Sequence, residues 1–359
     1  MRVLQLIDSL LPGGAERMAV SYANALNGRI DASFLCCTRM EGMLQKKLDP
    51  EVGYLFLEKK STLDSKSFFR LRKFIEENRI DLIQAHSSSF FLAVLVKLSL
   101  PKVKLIWHDH YGRDLDTRKP GILKQASRYF DGIISVNAHL KEWAVDNLYS
   151  EEVKYVKNFL PEPASEKADT ENLKGQAGFN IICLANLRPQ KDHLNLLMAF
   201  SLLSEREINL HLIGKDEKDD YSRSIKKFLQ ENDLEKRVFL YGSRENVEDL
   251  LKKADLAVLS SASEGLPVAL LEYGLAGLPV ICTRVGECEA VIGENGILVS
   301  PHDPKELADA ISYYIDFEQK KRADASNFQR EVRKAYSEDT VIPDVLEFMK
   351  YIVEKQKKN

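Results

Sequence analysis

The sequence predicts an α/β protein of two doubly wound parallel-sheet domains, and three observations predict it. Short β-branched and aliphatic runs alternate with longer amphipathic stretches along the whole chain. The alternation breaks at a polar, proline-containing segment, residues 158–176, and then starts afresh. At 359 residues the chain also exceeds what one hydrophobic core comfortably holds. Strands alternating with helices make βαβ units and a parallel sheet, so two such series make two domains.

In the first series the expected strands are 2–7, 31–37, 53–57, 81–86, 104–108 and 132–136, each a short run rich in Val, Ile, Leu or Phe. Helical patterns such as "AERMAVSYANAL" and "FFRLRKFIEEN" lie between them. The second series reads 180–186, 208–214, 237–242, 255–261, 278–283 and 296–299. Only helical patterns follow. The last, "VIPDVLEFMKYIVEKQKK", either pads the second domain or crosses back onto the first. The expected division is 1–165 and 166–339, with the terminal helix, about 340–359, returning to the first domain.

Composition narrows the class. With 44% hydrophobic and 29% charged residues the chain has material for real cores and a solvated surface. Its apolar runs, such as "FFLAVLVKLSL", are too short to span a bilayer. Met1 leads straight into a strand-like run without leader anatomy, so a cytoplasmic location is expected. Five scattered cysteines without CxxC spacing read as buried thiols of a reducing compartment, neither a disulfide framework nor a zinc site. The first half is more basic than the second. Its stretch "KSFFRLRKFIEENR" (66–79) interleaves aromatic and basic residues, which suits an ordinary amphipathic helix or a peripheral contact with an anionic membrane surface. No nucleic-acid partner is expected.

The most informative stretch is "ASEGLPVALLEYGLAGLPVICT" (262–283). Pro267 fits the first turn of a helix, and Gly277 followed by Pro279 ends it. Glu264 then lies in the loop before the helix and Glu272 on it. The loop leaves the carboxyl end of a strand, where doubly wound sheets bind ligands. A helix N-terminus suits a phosphate, and two carboxylates suit hydroxyl-rich groups. Phosphate plus hydroxyls describes a nucleotide-sugar.

This stretch closely resembles the E-x7-E signature of retaining family 4 glycosyltransferases (group 1) of the GT-B fold. The resemblance extends through "DSLLPGGAER" (8–17), "ANLRPQKDHLNLLMAF" (185–200) and "TRVGECEAVIGENGILVSPHDPKEL" (283–307). It implies two Rossmann-like domains facing each other across a cleft, with acceptor bound by the first and donor by the second. It implies a metal-independent, retaining hexosyltransferase that uses a UDP- or GDP-linked sugar as substrate and needs no cofactor. The acceptor would be a glycan or lipid-linked sugar of cell-surface polysaccharide synthesis, met at the inner face of the membrane. By the same resemblance Glu272 would hold the ribose, while Glu264, Gly265 and Leu266 would meet the transferred sugar. Gly13 and Gly14 would offer backbone amides to the diphosphate, and Lys191 and Arg188 its neutralising charge. The family pattern has arginine where this chain has Asn186, so Arg188, two positions on, is expected to replace it. The family histidine falls on His108, with His110 as the alternative. Asp114 and Asp116 form a DxD triplet, the metal-binding motif of another transferase fold, but here in a polar loop without that fold's surroundings. Two other readings stay open: a nucleotide-sugar epimerase of the same fold, and a non-catalytic nucleotide-sugar-binding protein.

Overall fold

A computed structural model describes the chain except for residues 112–114, 116, 161–171, 176, 204–206, 245–246 and 356–359. It divides into two units, Met1–Pro161 with Glu338–Asn359, and Glu162–Ser337. The expected divisions at 165 and 339 lie a few residues from these, the first of them within the undescribed 161–171.

The first unit carries strands β1 (Arg2–Ser9), β2 (Ala32–Met40), β3 (Gly53–Phe56), β4 (Leu82–His86), β5 (Lys104–Asp109), β6 (Gly132–Ser135) and β7 (Val153–Tyr155). All pair in parallel, in the order β3-β2-β1-β4-β5-β6-β7. Six of these strands match expected ones. β7 is three half-buried residues long, too short to show a period, and the sequence reading did not contain it. Because side chains alternate across a strand, β1 feeds both faces: Leu4 and Leu6 enter one core, Ile7 the other.

The helix Glu338–Glu354 belongs to this unit. It lies against β6 closely enough that a Cβ at Gly132 would stand 3.0 Å from Phe348 and 3.1 Å from Ile352. Lys355 and Tyr351 grip Glu152 at 2.5 and 2.9 Å, and Arg29 reaches Glu338 and Asp339 at 2.6 and 2.8 Å.

The second unit carries β8 (Phe179–Leu184), β9 (Ile208–Ile213), β10 (Val238–Gly242), β11 (Leu256–Leu259), β12 (Val280–Thr283) and β13 (Ile297–Val299), all parallel, in the order β10-β9-β8-β11-β12-β13. Each sheet reverses its strand order once, at β1/β4 and at β8/β11. At such a switch point the connections pass to opposite faces of the sheet, and a crevice opens at the carboxyl ends of the two neighbouring strands. All five cysteines are free and buried. Among the described residues no helix is long and apolar enough to cross a membrane.

Candidate functional site

In the second unit the loops after β8 and β11 leave the sheet side by side because those strands are neighbours at the switch point. Hydrogen bonds join them: Ala262 N–H donates to Gln190 O at 2.9 Å, and the Ser260 hydroxyl to Lys191 O at 3.1 Å. The result brings Lys191 Nζ to 2.6 Å from Glu264 Oε1, which also accepts from Ser261 Oγ at 2.6 Å. The Glu264 side chain is 7% exposed and that of Lys191 21%, so this ion pair is largely withdrawn from water.

Both loops are held from behind. Asp192 adopts a left-handed conformation (φ 44°) and caps the helix His193–Ser201 by accepting from Asn195 N–H. Its other oxygen meets His302 Nδ1 at 2.6 Å. Thr283 Oγ1 donates to Ser261 O at 2.6 Å. Gly286, at φ +52°, lies so close beneath the Glu264–Gly265 backbone that a Cβ there would stand 2.2 Å from Glu264 O. Glu287 N–H then donates to Gly265 O at 3.0 Å. A left-handed backbone pressed against two carbonyls is a position for glycine alone.

Pro267 stands one residue earlier than expected: it is the extended N-cap (ψ 109°) of the helix Val268–Ala276, outside its first turn. Its ring still fits, because a helix start needs no N–H from it. Leu266 is buried, and Glu272 lies half-buried in the helix. Next to Glu272, the buried Tyr273 hydroxyl accepts from Leu184 N–H at 2.6 Å and fastens the helix to the end of β8. Gly277 closes the helix at φ 74°.

Arg188 and Asn186 take separate tasks. Asn186 Oδ1 accepts from Lys215 N–H at 2.8 Å, tying the β8 and β9 loops together. Arg188 is half exposed and pairs with Glu217 at 3.0 Å; Lys215 Nζ meets the same carboxylate at 2.5 Å. Arg188 and Lys215 thus share the Glu217 carboxylate. The sequence reading missed Lys215, Ser261, Asp192 and Gly286. Only Gly286, a glycine in "TRVGE", carried any local signal.

In the first unit Gly13 is the extended N-cap of the helix Gly14–Leu26, with its carbonyl accepting from Arg17 N–H at 3.0 Å. A Cβ on Gly13 would stand 2.3 Å from Glu16 Oε2. The two histidine candidates stand together rather than as alternatives. Rings of His108 and His110 lie 4.1 Å apart, and His86, which sequence reasoning did not single out, stands 5.0 and 5.2 Å from them. Burial pushes the imidazoles of His86 and His108 well below their ordinary range and that of His110 to about 3, so all three are neutral near pH 7. Asp109, between them in sequence, turns the other way and takes a two-point grip from Arg118 at 2.6 and 3.1 Å. Asp114 and Asp116 lie outside the described residues.

Comparison with known proteins identifies the family and the fold. Residues 12–161 match the family model described as Glycosyltransferase Family 4, and residues 178–316 the one described as Glycosyl transferases group 1. An Escherichia coli UDP-Gal:alpha-D-GlcNAc-diphosphoundecaprenol alpha-1,3-galactosyltransferase is 24% identical over 335 residues, covering 85% of this chain and 86% of that protein. The O-antigen biosynthesis glycosyltransferase WbnH of E. coli is 27% identical over 313 residues, covering 85% and 86%. Among solved structures, Anabaena HepE in complex with UDP and glucose superposes with a TM-score of 0.82 at 19% identity, covering 98% of this chain and 99% of that one. With family models matched on both sheets and relatives aligned across most of the length, the chain belongs to the family 4 (group 1) glycosyltransferases and has the GT-B fold.

Proposed function

We propose that this glycosyltransferase moves a sugar, with retention of anomeric configuration, from a UDP- or GDP-linked donor to a glycan or lipid-linked acceptor of cell-surface polysaccharide. The observation that carries the proposal is the Lys191–Glu264 pair, set by two cross-stitched loops with Glu272 on the helix that follows. That arrangement sets a cation, a carboxylate and a helix N-terminus at one end of the sheet. The relatives support the same reading: one is named for a UDP-galactose donor and a diphosphoundecaprenol acceptor, another for O-antigen biosynthesis.

In the proposed reaction the bond from the anomeric carbon to the donor phosphate oxygen breaks, and the diphosphate leaves with the electron pair. Lys191 is proposed to meet the charge that develops on it, with Arg188 as the second cation. The acceptor hydroxyl attacks from the same face, and its proton passes to the departing phosphate oxygen. No protein nucleophile is required. Glu264, held by Lys191 and Ser261, orients the sugar with the Gly265 and Leu266 backbone, and Glu272 binds the ribose. Gly13 and Gly14 are the first unit's proposed contribution to donor binding. The side-chain cations supply the positive charge, so the donor chemistry needs no added divalent ion. Peripheral contact with the inner face of an anionic membrane belongs to the same proposal.

A thermal-shift panel of UDP-, GDP- and ADP-sugars tests the donor, because a ligand of the folded state raises its melting point. NMR of the anomeric centre in donor and product tests the stereochemistry. A rise with a UDP- or GDP-sugar and an unchanged configuration are expected. An inverted product overturns retention, donor turnover without acceptor marks an epimerase, and binding without consumption marks a non-catalytic protein. A tenfold or greater rate increase on adding Mg²⁺ or Mn²⁺ overturns the metal-free donor chemistry.

A further inference from the structure

We propose that His86, His108 and His110 form a zinc-binding site in the first unit. The sheet geometry assembles it. In the parallel register His86 of β4 lies beside His108 of β5, and His110, two residues on, returns to the same side while Asp109 faces away to Arg118. One ligand nitrogen from each histidine lies within 4.8 Å of the others. A zinc ion bound at about 2.1 Å to each would hold those nitrogens roughly 3.4 Å apart. His86 Nδ1 and His110 Nε2, now 3.0 Å apart, would open slightly, and the His108 ring, 4.1 Å from that of His110, would have to turn toward them.

Hydrogen bonding shows which nitrogens point inward. His86 Nε2 donates to Gln5 Oε1 at 2.7 Å, leaving the Nδ1 lone pair 3.0 Å from His110 Nε2. Gln84 lies 2.8 Å from His108 Nδ1, and His108 Nε2, in a residue with no exposed surface, has no partner. A half-turn of the Gln84 amide presents Oε1, likewise without a partner, to an Nδ1–H and frees the Nε2 lone pair for a metal. A ligating histidine typically gives its other N–H to an oxygen in this way. Imidazole suits zinc, and neutral rings are its binding form.

The surroundings make the same point. Gln5, Gln84, His86 and His108 are fully buried polar side chains on three neighbouring strands, with Tyr22 packed edge-on to His108 at 5.3 Å and its hydroxyl also unpartnered. Orphaned buried polar atoms are destabilising, and a core of the same shape in leucine would avoid that cost. A bound cation gives the cluster a purpose. Three protein ligands leave a fourth position open, for water or an acceptor oxygen.

The test uses tag-free full-length protein, loaded with ZnCl₂, dialysed into zinc-free buffer and assayed for metal by mass spectrometry. About one zinc per chain is expected in the parent, and almost none in His86→Gln or His110→Gln, while His139→Gln and His302→Gln, outside the cluster, keep it. Gln84→Leu is expected to weaken zinc affinity 10- to 100-fold. Cobalt replacing zinc should give the visible absorption of a four-coordinate ion, a readout on the parent that no misfolded variant can mimic. A parent that retains no zinc and gives no cobalt band overturns the site, as do folded variants that retain as much as the parent. No sugar substrate enters the assay, so failure here leaves the transferase reading standing.

Discussion

Lys191 Nζ and Glu264 Oε1 stand 2.6 Å apart across 73 residues of sequence, joining the loop after β8 to the loop after β11. The pair makes the position of each charge depend on the other. Lys191→Ala is therefore expected to act twice. It removes a cation proposed to meet the leaving diphosphate, lowering kcat at least 100-fold, or about 3 kcal/mol. It also leaves a 7%-exposed carboxylate with Ser261 as its remaining partner among the described residues, costing on the order of 1–3 kcal/mol of stability after allowance for the partly exposed lysine. Steady-state transfer kinetics and the melting temperature check the two effects separately. An enzyme with unchanged kcat would remove Lys191 from the chemistry.

Glu272→Ala should weaken donor binding roughly tenfold or more while the fold survives, since a hydrogen bond to a charged group contributes about 1.5–3 kcal/mol. Glu272 is half-buried on the helix, so its removal opens no large cavity. Titration calorimetry with the donor identified by thermal shift measures it, and an unchanged affinity ends the ribose assignment.

Gly286→Ala introduces a Cβ 2.2 Å from Glu264 O at a φ of +52°. The 285–287 turn must move, and with it the Gly265 carbonyl that Glu287 N–H binds. A non-glycine residue forced into such a conformation costs about 1–3 kcal/mol before the clash is counted. The expected outcome is a lower melting temperature and loss of the donor-induced shift. A variant that keeps both would mean that this turn does not set the Glu264 loop.

Stability should fall on acidification below neutrality. Burial lowers the imidazoles of His86 and His108 well below their ordinary value, His110 to about 3 and His193 to about 4. Below about pH 6.5 the unfolded chain takes up protons that the folded one refuses. This contribution is complete above that pH and lost as pH falls toward the folded values, at about 1.4 kcal/mol per pH unit for each group. Urea midpoints at pH 7, 6 and 5 should decline, and His110→Gln should flatten the slope by one proton's worth. A midpoint independent of pH over this range would contradict the burial of these rings.

Membrane contact through residues 66–79 is narrowed by the structure. Arg70 donates to the carbonyls of Leu57 and Phe56 at the end of β3, and Arg72 and Lys73 pair with Glu76 and Glu77. Leu71 and Ile75 are buried, while Phe69 and the preceding Leu63 are 62% and 76% exposed. Charge reversal at Arg70 would thus disturb the strand end as well as any surface. Replacing Phe69 with Ser and Lys66 with Glu is the cleaner variant. Cosedimentation of the parent with anionic vesicles at low salt, released at high salt and lost in this double variant, is the expected result. A parent that ignores such vesicles rules the contact out.

The sequence by itself determined the two βαβ series, twelve of the thirteen strands among the described residues, the glutamates eight residues apart and the family they imply. These are local signals: a strand announces itself by an apolar run, a helix end by Gly277, and a signature by spacing along one segment. Tertiary structure alone decided the partners. Lys191 meets Glu264 because β8 lies next to β11 in the sheet order, and Arg188 turns to Glu217 because β9 flanks β8 on the other side. His86 joins His108 and His110 only through the β4–β5 register, and no spacing in the chain announces a contact between residues on separate strands. Side-chain pairing across strands follows from which strands become neighbours, a property of the folded sheet that periodicity along the chain does not encode.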